Sequence, residues 1–264
     1  MRFLVLIAIC LIGPAANAQG KKVGVLESHG AQHDAARRDP VLAYVEANIA
    51  ETLYHELGHA VIQVLDLPIY GPEEYAADMF SVVMMNRIHT EEELHRMAPL
   101  IAANYMWYAD QVGDSVADLD LWDLHGPDLQ RYYTFACLIY GANPETRRDI
   151  VTLAALPEER VETCEAEYAQ TARAWGDVLD ALATDRPTDT LRMDWVVEKD
   201  GHLARYVTRI VSRINATMEL PETINVSVIP CGQSNAYFDP DYAEIQICTE
   251  LGDELSNRAR ALRP

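Results

Sequence analysis

Positive charge is scarce in this chain. Its 21 Lys and Arg stand against 41 Asp and Glu, a formal net charge of −20 over 264 residues. So acidic a surface repels phosphate backbones and anionic headgroups, which argues against nucleic acid and anionic membranes as partners. Long hydrophobic runs are missing as well. The longest, residues 3–12, is too short to span a bilayer, and no other segment reads as a membrane span. No internal repeat or low-complexity tract appears, which removes solenoids from consideration. None of the five cysteines stand at the two-to-four-residue spacing that a cysteine-based zinc site needs.

What is present begins with an export signal. Residues 1–18 carry Arg2 as the charged start, the apolar stretch 3–12, and Ala16-Asn17-Ala18 as a small-residue cleavage site before Gln19. Bulky Ile9 argues against lipidation at Cys10. The expected product is secreted or periplasmic, with no membrane anchor after cleavage. Losing Arg2 and no acid takes the charge from −20 to −21. The remaining chain, 19–264, is sized for one domain. Four cysteines survive: Cys137, Cys164, Cys231 and Cys248. An even number in an exported chain reads as two disulfides. Three pairings are possible, and the sequential one, Cys137–Cys164 with Cys231–Cys248, closes two short loops and suits the local elements. Each bridge should contribute about 3 kcal/mol by the loop-entropy argument.

The segment that announces chemistry is His55-Glu56-Leu57-Gly58-His59, an HExxH motif. Apolar residues at Val45, Ile49, Leu53, Leu57, Val61 and Val64 give 40–66 a helical period without an internal proline. On a helix, residues four apart lie about 40° apart around the axis and about 6 Å along it. His55 and His59 can therefore address one metal ion, with Glu56 placed to take a proton from a zinc-activated water. The plain alternative is two hydrogen-bonded histidines on an amphipathic helix.

A catalytic zinc commonly takes three protein ligands. Position 65 is leucine, so the third histidine of a metzincin is absent. Glu74 is the candidate instead, on a helix that Pro72 opens and the apolar run 79–85 continues. Asp78, one turn later, can bind the outer nitrogen of a ligating histidine. Its neighbours Ala76, Ala77, Met79 and Phe80 are an odd setting for a solvated carboxylate. Glu73 is the weaker ligand candidate. The alternative here is acids that merely complement the helix dipole.

The rest of the chain is read as mostly helical. A strand is expected at 23–26, followed by a polar loop with His29 and His33. Thr90 and Glu93 form a capping box for a helix running to about Val112. A loop covers 114–128, and helices are expected over 128–140, 144–155, 157–183 and 203–218. A strand falls at 192–198. Strands at 224–230 and 244–248, with a turn at 239–242, read as a β-hairpin within a disulfide-bounded segment of about 224–250, and a terminal helix follows. The fold class is α+β, predominantly helical, with a small antiparallel sheet.

The loop Trp122-Asp123-Leu124-His125-Gly126-Pro127 offers the other half of a catalytic site. His125 can stabilise a developing oxyanion, with Asp123 orienting it and Arg131 and Tyr132 in reserve. Equally, His125 can simply cap the next helix. His29, His33, His89, His95 and His202 read as ordinary surface residues.

These residues carry a resemblance. The chain resembles the exported bacterial proteins of the DUF4344 metallopeptidase family in Leu53-Tyr-His-Glu-Leu-Gly-His-Ala60, Leu65-Asp-Leu-Pro68, Glu73-Glu-Tyr-Ala-Ala-Asp78, Trp122-Asp-Leu-His125, Gln130-Arg-Tyr132, Cys137-Leu-Ile-Tyr-Gly141 and Cys231-Gly-Gln-Ser-Asn-Ala-Tyr-Phe-Asp-Pro240. The resemblance spans nearly the whole mature chain and implies a zincin-like domain with Glu74 as third ligand. One departure stands out. In relatives the Cys-Gly…Asn-Ala segment precedes the metal helix, whereas here it is C-terminal, an order like a circular permutation. Asn235 and Tyr237 then either border a peptide groove or only set hairpin geometry. The expectation is an exported zinc-dependent hydrolase, with one zinc ion, cleaving a peptide or protein substrate. The alternatives are a non-catalytic zinc or peptide-binding protein and a zinc amidase acting on cell-wall material.

Overall fold

A computed structural model describes residues 39–112, 119 and 121–262. The signal segment, the strand at 23–26, and His29 and His33 lie outside the described residues, as does most of the first half of the 114–128 loop.

Helix α1 (Pro40–Val64) opens on Asp39, whose carboxylate accepts from the Val41 N–H at 2.9 Å, with proline in the first turn. It is buried on nearly every side, and Leu53, Tyr54, Leu57, Ala60 and Val61 have no exposure. A helix that apolar all round belongs in the middle of a fold. Packed on it are α2 (Glu73–Ile88) and α3 (Glu91–Gln111). Helix α3 starts on the expected capping box: Thr90 Oγ accepts from Glu93 N–H, and the Glu93 carboxylate accepts from Thr90 N–H. Next come α4 (Asp128–Ala142), the short α5 (Arg148–Leu153) and α6 (Glu158–Ala181).

Gly58, inside the motif, packs directly against α2. A Cβ there would stand 3.1 Å from Ala77 Cα and 3.2 Å from Phe80 Cδ1. A side chain at position 58 would push the two helices apart.

The C-terminal third forms a four-stranded sheet from β1 (Leu191–Val196), β2 (Ile224–Ile229), β3 (Ala236–Asp239) and β4 (Glu244–Cys248), in the order β1-β2-β4-β3. Helix α7 (His202–Asn215) connects β1 to its parallel neighbour β2, and α8 (Thr249–Ala261) closes the chain. The fold is α+β and mostly helical, as expected, but the sheet is mixed rather than antiparallel. The hairpin joining 224–230 to 244–248 is likewise corrected. β2 and β4 run parallel, and the turn at 239–242 joins β4 to β3 instead. The reason lies in burial. Ile224, Val226, Ser227 and Val228 are all buried, so β2 is an interior strand with a neighbour on each side. The chain between β2 and β4 is long enough to return along the outside and lay β3 at the edge.

Both disulfides form in the sequential pairing. Cys137 of α4 bonds Cys164 of α6, and Cys231 bonds Cys248 at the end of β4. His89 is not a surface residue: it is buried, with Nε2 2.9 Å from the Tyr54 hydroxyl. Among the described residues, no helix is long and apolar enough to cross a membrane.

Candidate active site

Three elements converge on the motif. The middle of α1 presents His55 and Glu56, both buried, and His59, one turn on. The first two turns of α2 bring Glu73, Glu74 and Asp78. The loop before α4 brings Asp123 and His125, and α4 brings Arg131.

Their meeting point is a single carboxylate oxygen. Glu74 Oε2 lies 3.1 Å from His55 Nε2, 3.3 Å from His59 Nε2 and 3.1 Å from His125 Nε2. The two helix imidazoles are 3.2 Å apart, Nε2 to Nε2. A tetrahedral zinc with bonds of about 2.1 Å needs donors about 3.4 Å from one another. His55, His59 and Glu74 meet that spacing, so the donor set fits a small divalent cation. His55, Glu74 and His125 also offer ligand atoms all within 4.8 Å of one another.

The far side of each ring is wired as well. His55 Nδ1 is 2.9 Å from Asp78 Oδ1, and His59 Nδ1 is 2.7 Å from Glu73 Oε1. His125 Nδ1 is 3.1 Å from Asp123 Oδ1, which also accepts from the His125 backbone N–H at 2.8 Å. Such contacts fix tautomer and ring orientation and make the inner nitrogen a better donor. Glu73 thus touches the outer face of His59, while Glu74 points inward.

Electrostatics follow from this crowding. Burial pushes Glu74 up, but its hydrogen bonds to His125, His55 and His59 outweigh it and hold the carboxyl well below the usual range. Burial likewise opposes ionisation of Asp78, and hydrogen bonds from His55 and Arg131 prevail, holding it at about 2. Burial would lower His55, yet its bonds to Asp78 and Glu74 raise it to about 10. The shifts reflect carboxylates clustered around the imidazoles, a negative field of the kind that attracts a cation. Glu56 behaves differently. Burial raises its carboxyl, which His55, His59 and a hydrogen bond from the Phe238 backbone of β3 only partly offset. A raised carboxyl suits a general base better than an ordinary one.

Some partners were not legible in the sequence. Arg131, held in reserve for the oxyanion, is committed elsewhere: its guanidinium grips Asp78 and lies over the Tyr105 ring, 5.0 Å from the centroid. Tyr132 packs in the core. Beneath the site, Glu51 is buried and accepts from Tyr105 OH at 2.9 Å and Ser81 OH at 3.1 Å. Its place one turn before His55 was the only available signal.

The site opens into a cleft of about 820 Å³. His55 and Glu56 line it, with Tyr105 and Tyr108 of α3, Asp123 and His125, Ser234 and Asn235 leading into Ala236 of β3, and Leu251 and Leu255 of α8. Asn235 therefore borders the cleft, whereas the Tyr237 hydroxyl bonds Gln246 across the hairpin at 2.6 Å.

No curated protein and no solved structure matches this chain. The sequence does match the family described as "Putative metallopeptidase" (DUF4344), over residues 23–179 and 192–263. With most of its length so covered, the chain belongs to that metallopeptidase family.

Proposed function

We propose that the protein is an exported zinc-dependent peptidase. The observation that carries the reading is the convergence of His55 Nε2 and His59 Nε2 on Glu74 Oε2, at 3.1 and 3.3 Å, with Glu56 in the same cleft. His55, His59 and Glu74 would hold the metal. Bound there, zinc supplies a Lewis acid that polarises the scissile carbonyl and makes water nucleophilic near neutral pH.

The chain's own residues do the rest. Glu56 accepts the proton of the attacking water and later delivers it to the leaving amine. The Phe238 N–H on one side and the histidines on the other keep its carboxylate oriented. His125, held by Asp123, donates to the oxyanion that develops on the substrate. Arg131 and Asp78 keep the His55 ring from turning. β3 is an edge strand of the sheet, and its first residue, Ala236, lines the cleft. An extended peptide laid along that edge would gain backbone hydrogen bonds and bring its scissile bond over Glu56.

A peptide-library cleavage assay on the purified protein, with and without a chelator, tests the reading. Chelator-sensitive cleavage is expected, with one zinc per chain by elemental analysis. Glu56→Gln should keep that zinc and lose at least about a hundredfold in turnover. Zinc without any cleavage would point to a binding protein or to an amidase on a non-peptide substrate. Absence of stoichiometric zinc would sink the scheme.

A further inference from the structure

We propose that His125 is a fourth, displaceable ligand that closes the metal site in the substrate-free protein; this rests on His55, His59 and Glu74 holding zinc. Three observations carry it. First, His125 is wired like the two helix histidines. Each of the three rings has a carboxylate on Nδ1, from Asp78, Glu73 and Asp123, and each Nε2 stands 3.1–3.3 Å from the same Glu74 oxygen. His55, Glu74 and His125 offer ligand atoms all within 4.8 Å of one another, a grouping that one metal can gather. Its ring also stacks on His55, with centroids 6.1 Å apart and planes 18° apart.

Second, the loop is seated to hold it there. Gly126 has φ +71, and a Cβ on it would overlap the hydroxyl of Tyr75, the residue after Glu74. The backbone following His125 is thereby pressed onto the helix that carries the third ligand. Glycine meets both demands, a left-handed conformation and the absence of a side chain.

Third, the contact is built to be given up. The His125 side chain is 48% exposed, against 8% for His55 and 14% for His59. Residues 121–125 are exposed throughout, Trp122 and Leu124 included, so little burial opposes lifting the ring. Catalytic zinc sites leave one position open, whereas four protein donors are the mark of a closed site. His125 thus occupies the position that substrate and water require. A peptide entering the cleft displaces the ring; the freed Nε2 takes up a proton from solvent, and the resulting imidazolium, still held by Asp123 through Nδ1, can then donate to the carbonyl oxygen.

X-ray absorption at the zinc edge, on the full mature chain, counts the imidazoles directly. Wild type should show three and His125→Ala two, with zinc still bound but its Kd weakened by at least about tenfold. The visible spectrum of the cobalt-substituted protein should change in parallel. Asp123→Asn, which keeps the ring but loosens its orientation, should weaken binding by less. Two imidazoles in both wild type and His125→Ala, with equal Kd, overturn the proposal. His59→Ala separates the two levels of inference. If it abolishes tight zinc binding while His125→Ala leaves spectrum and Kd unchanged, only the fourth ligand is wrong. If zinc binding survives His59→Ala intact, the underlying ligand set fails, and this proposal with it.

Discussion

Arg131 holds Asp78 by two hydrogen bonds, Nε to Oδ2 at 2.9 Å and Nη2 to Oδ1 at 2.8 Å, and Asp78 in turn faces His55 Nδ1 at 2.9 Å. A residue of α4 therefore sets the ring angle of a histidine on α1 through a carboxylate on α2. Planar guanidinium meets planar carboxylate in a geometry that lysine cannot copy.

Replacing Arg131 with leucine should leave the Asp78 carboxylate buried with one partner fewer. The expected cost is about 3 kcal/mol in chemical denaturation, together with zinc affinity about 10-fold to 100-fold weaker. Arg131→Lys should recover the stability in part and the affinity less. Unaltered affinity in Arg131→Leu would show that His55 orients without this relay.

Gly58→Ala tests the α1–α2 crossing. A methyl group 3.1 Å from Ala77 Cα forces a shift of backbone rather than of a side-chain tip. We expect a loss of about 1–3 kcal/mol, as for other overpacked contacts. Glu74 rides on α2, so zinc affinity should fall with stability. A variant as stable as wild type would mean the helices have slack.

Part of the stability at low pH arises away from the HExxH site. The buried Arg147 guanidinium bonds both oxygens of Glu91 and lowers its carboxyl from 4.5 to about 2. A folded-state value below the unfolded one gives stabilisation that is complete above about pH 4.5 and is lost as pH falls toward 2. The unfolding free energy of wild type should therefore exceed that of Glu91→Gln at pH 6, and the gap should close by pH 2. A gap that stays constant over this window would mean Glu91 titrates normally.

Reduction should loosen the helical half and the sheet separately. The Cys137–Cys164 and Cys231–Cys248 bridges span 27 and 17 residues. Removing either by paired Cys→Ala substitution should cost about 3 kcal/mol, read as a lower denaturation midpoint. An unchanged midpoint would point to residual structure in the unfolded chain doing the same work.

What the sequence by itself determined was local. The HExxH spacing, the apolar period of α1, the Thr90–Glu93 capping box and the turn at 239–242 depend on residues a few positions apart. Backbone geometry alone makes such neighbours meet. Helix-rich α+β class and cysteine parity were readable for the same kind of reason. The Glu74 and Asp78 pair was also legible, since spacing puts both on one face and apolar neighbours mark Asp78 as inward.

Tertiary structure decided what spans distance along the chain. Arg131 and Asp78 are 53 residues apart, and nothing in either segment names the other. His125 has two equal readings in the sequence, and nothing in its own segment names Glu74, which packing sets 3.1 Å from its Nε2. His89 and Glu51 looked ordinary because burial of a polar side chain depends on which helices cover it, here α1 with its Tyr54 and α3 with its Tyr105. Alternation marked β2 and β4 as strands but could not assign their direction or neighbours. A strand shows its faces in its own sequence, whereas its hydrogen-bonding edges are the same repeating backbone whatever pairs with them.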